Sequence, residues 1–171
     1  MNTIAKVQAA MLAYNAGDTR RINHLLKVYA LAKAIGELEM LQPDTQYILE
    51  LAALTHDIGI RNSQQKYGSA AGEYQQLEGP PEARRLLLDA AVSEPIVDRV
   101  CWLIAHHHTY RDIQGQDYQI LIEADFLVNI DEDGLHESSI RKIEQTLFQT
   151  LAGKRFLHGL ALPLPDPASV R

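Results

Sequence analysis

The apolar residues of this 171-residue chain recur with the period of an α-helix along nearly its whole length, and this constrains the fold more than any other feature. The second predicted helix is an example, with an apolar face made of Ile22, Leu25, Leu26, Tyr29, Ala32 and Ile35. No stretch shows the strict alternation of a half-buried strand, and no internal repeat or linker interrupts the pattern. The sequence therefore predicts a single all-α domain.

Turn and capping residues predict where the helices begin and end. The predicted helices cover residues 4–14, 19–35, 43–59, 79–90, 94–105, 117–130 and 137–151. Gly79-Pro80-Pro81 is placed at the start of its helix, because proline is tolerated in the first turn. Residues 60–77 are polar and predict a loop with at most one short helix. We expect one domain over residues 1–160, with its motifs within 20–134, and a Pro-rich tail over 161–171.

Composition and charge limit the setting and the partners. A net charge of −6 argues against a nucleic-acid polymer or a membrane surface as partner. The single cysteine, Cys101, excludes an internal disulfide. No signal-peptide pattern is present, and no apolar run reaches the roughly 18 residues that span a bilayer, so we expect a cytoplasmic protein. The oligomeric state stays open, and a homodimer is compatible with the sequence.

Histidines and aspartates at four places along the chain are the residues that indicate a functional site. They are His24, the doublet His56-Asp57, the run His106-His107-His108, and Asp125. Taken alone, His24 is more often a satisfied core residue than a ligand, and the histidine run could be a solvated helix end, of which at most two residues can face one site. Asp125, however, lies in an apolar segment, where an unpaired charge would cost several kcal/mol, whereas nearby Glu123 is expected to be solvated. Imidazole and carboxylate together suit Zn, Fe, Mn, Co or Ni, so the set suggests a metal site.

The order and local context of these residues resemble the HD-domain superfamily of metal-dependent phosphohydrolases. The similarity is carried by the segments Asn23-His24-Leu25-Leu26-Lys27-Val28, Ala53-Leu54-Thr55-His56-Asp57-Ile58-Gly59 and Glu123-Ala124-Asp125-Phe126-Leu127. The resemblance implies a helical bundle with a central metal site. It also implies that His24, His56, Asp57 and Asp125 would be the four ligands of the principal divalent transition metal.

Some members of this superfamily hold a second ion. Matching that pattern here, Glu78 stands where a histidine is often found, and His107 and His108 match a later histidine pair. A carboxylate can replace histidine on Fe or Mn, so these three residues are candidate ligands of a second ion. The alternative is that Glu78 only caps or solvates the helix that follows it. One ion is expected, and two are allowed.

The implied chemistry is attack by a metal-activated water on a phosphate ester. Asp57, Glu78, His107 and His108 are the candidate catalytic residues, the last three as general bases. Five cations are candidates to bind the phosphate of a small-molecule substrate, namely Arg21, Lys27, Lys66, Arg84 and Arg111. The same residues could instead be ordinary surface charge.

Three functions remain in competition at this level. The first is hydrolysis of a phosphate ester, either a nucleotide or another small phosphorylated metabolite. The second is a dinuclear-iron oxygenase, which requires the second ion. The third is a non-catalytic, metal-stabilised ligand sensor. The doublet is followed by Ile58-Gly59-Ile60, without the lysine of the cyclic-dinucleotide phosphodiesterases, so that specific activity is not implied.

Overall fold

A computed structural model describes residues 2–162, and within that range the chain is all-helical, as predicted. The helices are α1 (Thr3–Tyr14), α2 (Thr19–Leu38), α3 (Pro43–Thr55), α4 (Ile60–Tyr67), α5 (Gly72–Asp89), α6 (Glu94–His106), α7 (Gln116–Glu132), α8 (Glu137–Leu147) and α9 (Leu151–Leu160). None of them is both long and apolar enough to cross a membrane. Most of the predicted Pro-rich tail, residues 163–171, lies outside the described residues.

Helices α3 and α7 form the centre of the bundle. Helix α3 is buried on every side from Leu49 to Thr55, and α7 is buried on every side from Ile120 to Asp125. A helix that is apolar all round must be surrounded by others, and α3 packs against α1, α2, α6 and α7. The chemistry-bearing doublet follows α3 directly, and Asp125 lies on α7, so both are fixed by the core.

Helix α5 lies across the turn between α3 and α4. Residues 56–59 form this turn, in which the Ile60 N–H donates to Asp57 O over 3.1 Å. A Cβ on Gly59 would lie 2.5 Å from Gly79 N and 2.7 Å from Gln75 O of α5. The glycine therefore permits direct backbone contact between the doublet's turn and α5.

Three predictions about helix boundaries were wrong. Helix α3 ends at Thr55, four residues before the predicted end at residue 59, because residues 56–59 form the turn before α4. Helix α5 begins at Gly72, so Pro80 and Pro81 lie inside it and do not begin it, and most of the predicted loop 60–77 is helical. Proline in a helix interior removes a hydrogen bond and costs ~3 kcal/mol. Helix α5 packs against α1, α4 and α6, and we attribute its continuity to this packing.

The predicted last helix, 137–151, is instead two helices separated by residues 148–150, among which Phe148 is extended. Glu123, expected to be solvated, is fully buried beside this break. Its carboxylate accepts the backbone N–H groups of Gln149 at 2.6 Å and Thr150 at 3.0 Å. These N–H groups lie between α8 and α9 and have no acceptor within a helix. The buried glutamate supplies their acceptor, and the apolar pattern could not predict this contact.

Candidate metal centre

The structure brings the histidines and aspartates of four separate segments to one buried point. His24 comes from α2, His56 and Asp57 from the turn after α3, and Asp125 from α7. His107, just after α6, lies beside Asp57. All five side chains are nearly inaccessible to solvent.

The atoms that face each other have the spacing of ligands around one ion. His24 Nε2 lies 3.3 Å from His56 Nε2 and 3.2 Å from Asp125 Oδ1, and His56 Nε2 lies 3.5 Å from the same oxygen. Asp57 completes the set, with Oδ2 3.6 Å from His24 Nε2 and Oδ1 3.7 Å from His56 Nε2. Ligands bonded at 2.0–2.2 Å to a common ion are separated by roughly 2.8–4.4 Å, depending on the angle between them, so this donor set fits a divalent transition metal.

The other ring nitrogen of each histidine is held by an acceptor. His56 Nδ1 donates to Ala53 O at 3.0 Å, and His107 Nδ1 donates to Ile104 O at 2.7 Å. His24 Nδ1 donates to Glu132 Oε2 at 3.0 Å. These acceptors fix a proton on Nδ1 and leave the Nε2 atoms facing the centre, which is the orientation that metal-binding imidazoles require.

His107 Nε2 is buried and has no hydrogen-bond partner. It lies 3.5 Å from Asp57 Oδ1, so it faces the centre. A buried polar atom without a partner costs free energy. An ion or a water bound at the cluster would give this nitrogen a partner.

The charges at the cluster are set by their mutual contacts. Burial alone would raise the pKa of Asp57, but His56, His107 and Arg21 outweigh it and hold the pKa well below its ordinary value. Asp125 likewise has a lowered pKa, because contacts with His24 and His56 outweigh burial. Burial alone would lower the pKa of His24, yet Asp125 and Asp57 raise it above its ordinary value. Both aspartates are thus anionic and ready to bind a cation.

The remaining two histidines of the run differ from His107. His108 borders the cluster, and burial followed by the neighbouring His107 lowers its pKa to about 4, so it is neutral at physiological pH. It forms a second possible ligand group with Asp57 and His107. His106 stacks on Trp102 at 4.2 Å and donates from Nδ1 to Trp102 O at 2.6 Å. Its ring is therefore engaged away from the cluster.

Glu78 is not brought into the cluster. Lys66 donates to its carboxylate at 2.5 Å and Tyr67 at 2.8 Å, and these two contacts lower its pKa. One turn earlier, α5 instead presents the buried Gln75, whose Oε1 accepts from His108 Nε2 at 3.1 Å. The error follows from placing the start of α5 at Gly79. With the true start at Gly72, position 75 is the one that faces the histidines.

The five predicted phosphate-binding cations are dispersed. Arg21 alone among them borders the metal-site cavity, and its Nη1 lies 2.5 Å from Asp57 Oδ2. Lys27 pairs with Glu132, and Lys66 pairs with Glu78. Arg84 forms an exposed pair with Asp98.

Arg111 borders different cavities near the start of α7. The sequence thus identified one cation that the fold places at the site.

An open cavity of about 450 Å³ leads to the cluster. Its walls contain residues that the sequence analysis missed, among them Arg20, Gln75, Asn129 and Glu132. A second cavity of about 290 Å³, between the α1–α2 turn and α4, shares Arg21, Ile60 and Gln64 with the first. A larger, mostly apolar groove of about 680 Å³ between α2, α7 and α9 contains none of the cluster residues. Of these three cavities, which lie among residues 2–162, only the first is lined by candidate ligands.

Comparison with known proteins agrees with this geometry. The family model described as the HD domain matches residues 21–147. The crystal structure of a predicted HD superfamily hydrolase from an uncultured Thermotogales bacterium has the same fold, with a TM-score of 0.64, 19% identity, and coverage of 91% of this chain and 83% of that one. No curated protein sequence matches the chain. Since the family match spans every residue of the buried cluster, and the predicted resemblance is thereby confirmed, the chain belongs to the HD domain family.

Proposed function

We propose that this protein is a metal-dependent phosphohydrolase that acts on a small phosphate ester, either a nucleotide or another phosphorylated metabolite. The observation that carries the proposal is the donor set of His24, His56, Asp57 and Asp125 at the end of an open cavity. The spacing of these atoms suits one divalent ion, with Fe, Mn, Co, Ni or Zn as candidates. The bordering guanidinium of Arg21 suits an anionic substrate.

A bound divalent ion would supply a Lewis acid that lowers the pKa of a water towards about 7 and offsets charge on the phosphoryl group. His107 Nε2, which has no other partner, would accept the proton of the attacking water. The resulting imidazolium would be stabilised by Asp57 Oδ1 at 3.5 Å. This contact supports His107 as the general base.

His108 is oriented as a donor. Gln75 Nε2 donates to Ala70 O at 2.7 Å, which turns its Oε1 towards His108 Nε2 and fixes the proton on that nitrogen. The Nε2–H group borders the cavity, and a substrate oxygen would replace Gln75 Oε1 as its acceptor. Arg21 would bind a second phosphoryl oxygen, and the adjoining 290 Å³ cavity beside it would accommodate the rest of the ester.

The dinuclear-iron oxygenase is the second candidate, and one observation favours it. Donor atoms of Asp57, His107 and His108 lie within 4.8 Å of one another. Against it, a second ion on His108 would have to remove the Nε2 proton that the Gln75 contact fixes there, whereas a substrate oxygen would only replace the acceptor. The sensor alternative predicts metal binding without turnover. One ion and hydrolysis agree best with the contacts present.

The test combines metal analysis with a substrate panel. Protein purified without chelators is analysed for bound metals, then loaded with Mn²⁺, Co²⁺, Ni²⁺ or Mg²⁺ and assayed on nucleotides and sugar phosphates. We expect hydrolysis with the first three ions in preference to Mg²⁺, since imidazole ligands suit them better. His56→Ala should abolish it, and His106→Ala, a matched change outside the cluster, should not. Turnover that survives His56→Ala, or no turnover with any ion, would overturn the proposal.

A further inference from the structure

Glu132, the last residue of α7, has no role in the ligand set, yet it contacts a ligand directly. Its Oε2 accepts from His24 Nδ1 at 3.0 Å, and its Oε1 accepts from Lys27 Nζ at 3.0 Å. We propose that Glu132, held by Lys27, is a positioning residue that fixes the His24 ring for metal binding. This inference rests on the metal centre of the proposed function.

The periodicity of two helices explains how the contacts arise. Asp125 and Glu132 are seven residues apart on α7, hence on the same face, and His24 and Lys27 are three apart on α2. Asp125 Oδ1 approaches Nε2 of the His24 ring at 3.2 Å, while Glu132 binds Nδ1. One face of α7 therefore contacts both nitrogens of the same imidazole.

His24 differs in this respect from the other histidines at the centre. The Nδ1 atoms of His56 and His107 are held by backbone carbonyls three residues earlier, which follow from the local fold. The Nδ1 of His24 depends on a side chain from another helix. A carboxylate in this position orients the ring and raises its basicity, and loss of such a partner costs about 10–100-fold in metal affinity.

Helix stability does not explain the position of Glu132. A carboxylate at the C-terminus of α7 opposes the helix dipole. Lys27 offsets that charge, and its ammonium is engaged by Glu132. The lysine predicted from sequence to bind phosphate therefore acts, in this inference, through Glu132 and His24.

The test is Co²⁺ titration by calorimetry, with the cobalt absorption spectrum as a second readout. Glu132→Ala should weaken Co²⁺ binding about 10–100-fold and alter the spectrum. Glu132→Gln keeps an acceptor oxygen and should stay within about 5-fold of wild type. Asp133→Asn is the matched control, because Asp133 borders the same cavity without contacting His24, and it should leave Co²⁺ binding unchanged.

Wild-type affinity in a folded Glu132→Ala protein would overturn the inference, whereas failure of the wild type to bind Co²⁺ would overturn the proposed function itself. If Glu132→Ala does not fold, Co²⁺ binding is measured in Lys27→Met instead. It should weaken Co²⁺ binding at least about 3-fold. A rise in KM for phosphate esters with unchanged Co²⁺ affinity would instead make Lys27 a substrate-binding residue and overturn the inference.

Discussion

At the scale of single residues, we expect Gln75 to limit the number of metal ions that bind at the centre. Its amide oxygen binds His108 Nε2, which could otherwise join Asp57 and His107 around a second ion. An amide oxygen is a poor ligand for late transition metals compared with imidazole. We therefore expect this single side chain to keep the number of bound ions at one, although Asp57, His107 and His108 lie close enough to form a second ligand group.

Replacing this amide tests that interpretation. Gln75→His should raise the stoichiometry from about one Co²⁺ per chain to about two, because imidazole suits such metals. Gln65→His is the control, since Gln65 is exposed on α4 and borders neither cavity at the centre. Equal stoichiometry in Gln75→His and wild type would count against the role assigned to Gln75.

The protonation of His24 predicts a pH dependence. Burial lowers the pKa of His24, but contacts with Asp125 and Asp57 raise it above its ordinary value in the metal-free protein. A metal must displace that proton. Co²⁺ affinity should therefore fall as the pH is lowered from about 8 to about 6, with proton release on binding that calorimetry in two buffers detects. An affinity independent of pH would show that no proton is displaced.

The residues of the donor set could be identified from the sequence by their type and order. The residues that contact and orient them could not. Histidine and aspartate in apolar surroundings are informative because burying a polar or charged group without a partner costs free energy. Gln75 and Glu132 stand in polar stretches, where a polar side chain needs no explanation. Their roles arise from contacts across more than 30 and more than 100 residues of chain, which no local pattern contains.

At the scale of helices, apolar periodicity predicted the existence of most elements better than their ends. The starts of α1, α2, α3, α6 and α7 follow cap and turn signals in the sequence, whereas α2 ends three residues later and α3 four residues earlier than predicted. Helix α5 and the α8–α9 break depart from the prediction. In both places a tertiary contact, rather than a local preference, sets the boundary.

The contact between α5 and the turn after the His56-Asp57 doublet predicts that a larger residue at position 59 destabilises the protein. A Cβ on Gly59 would meet backbone atoms of Gly79 and Gln75, so Gly59→Ala must displace α5. We expect a loss of about 2 kcal/mol or more in the free energy of unfolding, as for an overpacked core. Gly159→Ala is the control, because nothing lies within 4 Å of its added Cβ, and helix propensity should make it neutral or stabilising. Equal denaturant midpoints would refute the close approach.

Glu123 predicts a stability effect that is separate from metal binding. Glu123→Ala would leave the N–H groups of Gln149 and Thr150 without their acceptor, at a cost of about 2–4 kcal/mol in unfolding free energy. The exposed Glu37→Ala should change it by less than about 0.5 kcal/mol. Urea denaturation measures both, and Co²⁺ titration should show no change in either. A Glu123→Ala protein as stable as wild type would remove this account of the α8–α9 break.

At the scale of the whole molecule, the bundle is a frame that holds ligands from three of its segments at fixed distances. Helices α3 and α7 are central because parts of them are buried on all sides, and they carry or precede three of the four candidate ligands. Helix α2 packs on both and supplies His24. The fold class and the family follow from these features, whereas the substrate depends on cavity walls that the apolar pattern does not determine.

The central claim is that His24, His56, Asp57 and Asp125 bind one divalent ion. The most direct measurement is an anomalous-difference map, recorded at the cobalt edge, from crystals of the Co²⁺-loaded protein. The account predicts a strong peak about 2.0–2.2 Å from His24 Nε2, His56 Nε2 and carboxylate oxygens of both aspartates. A map with no peak at this point, or with cobalt bound only elsewhere on the protein, would contradict it.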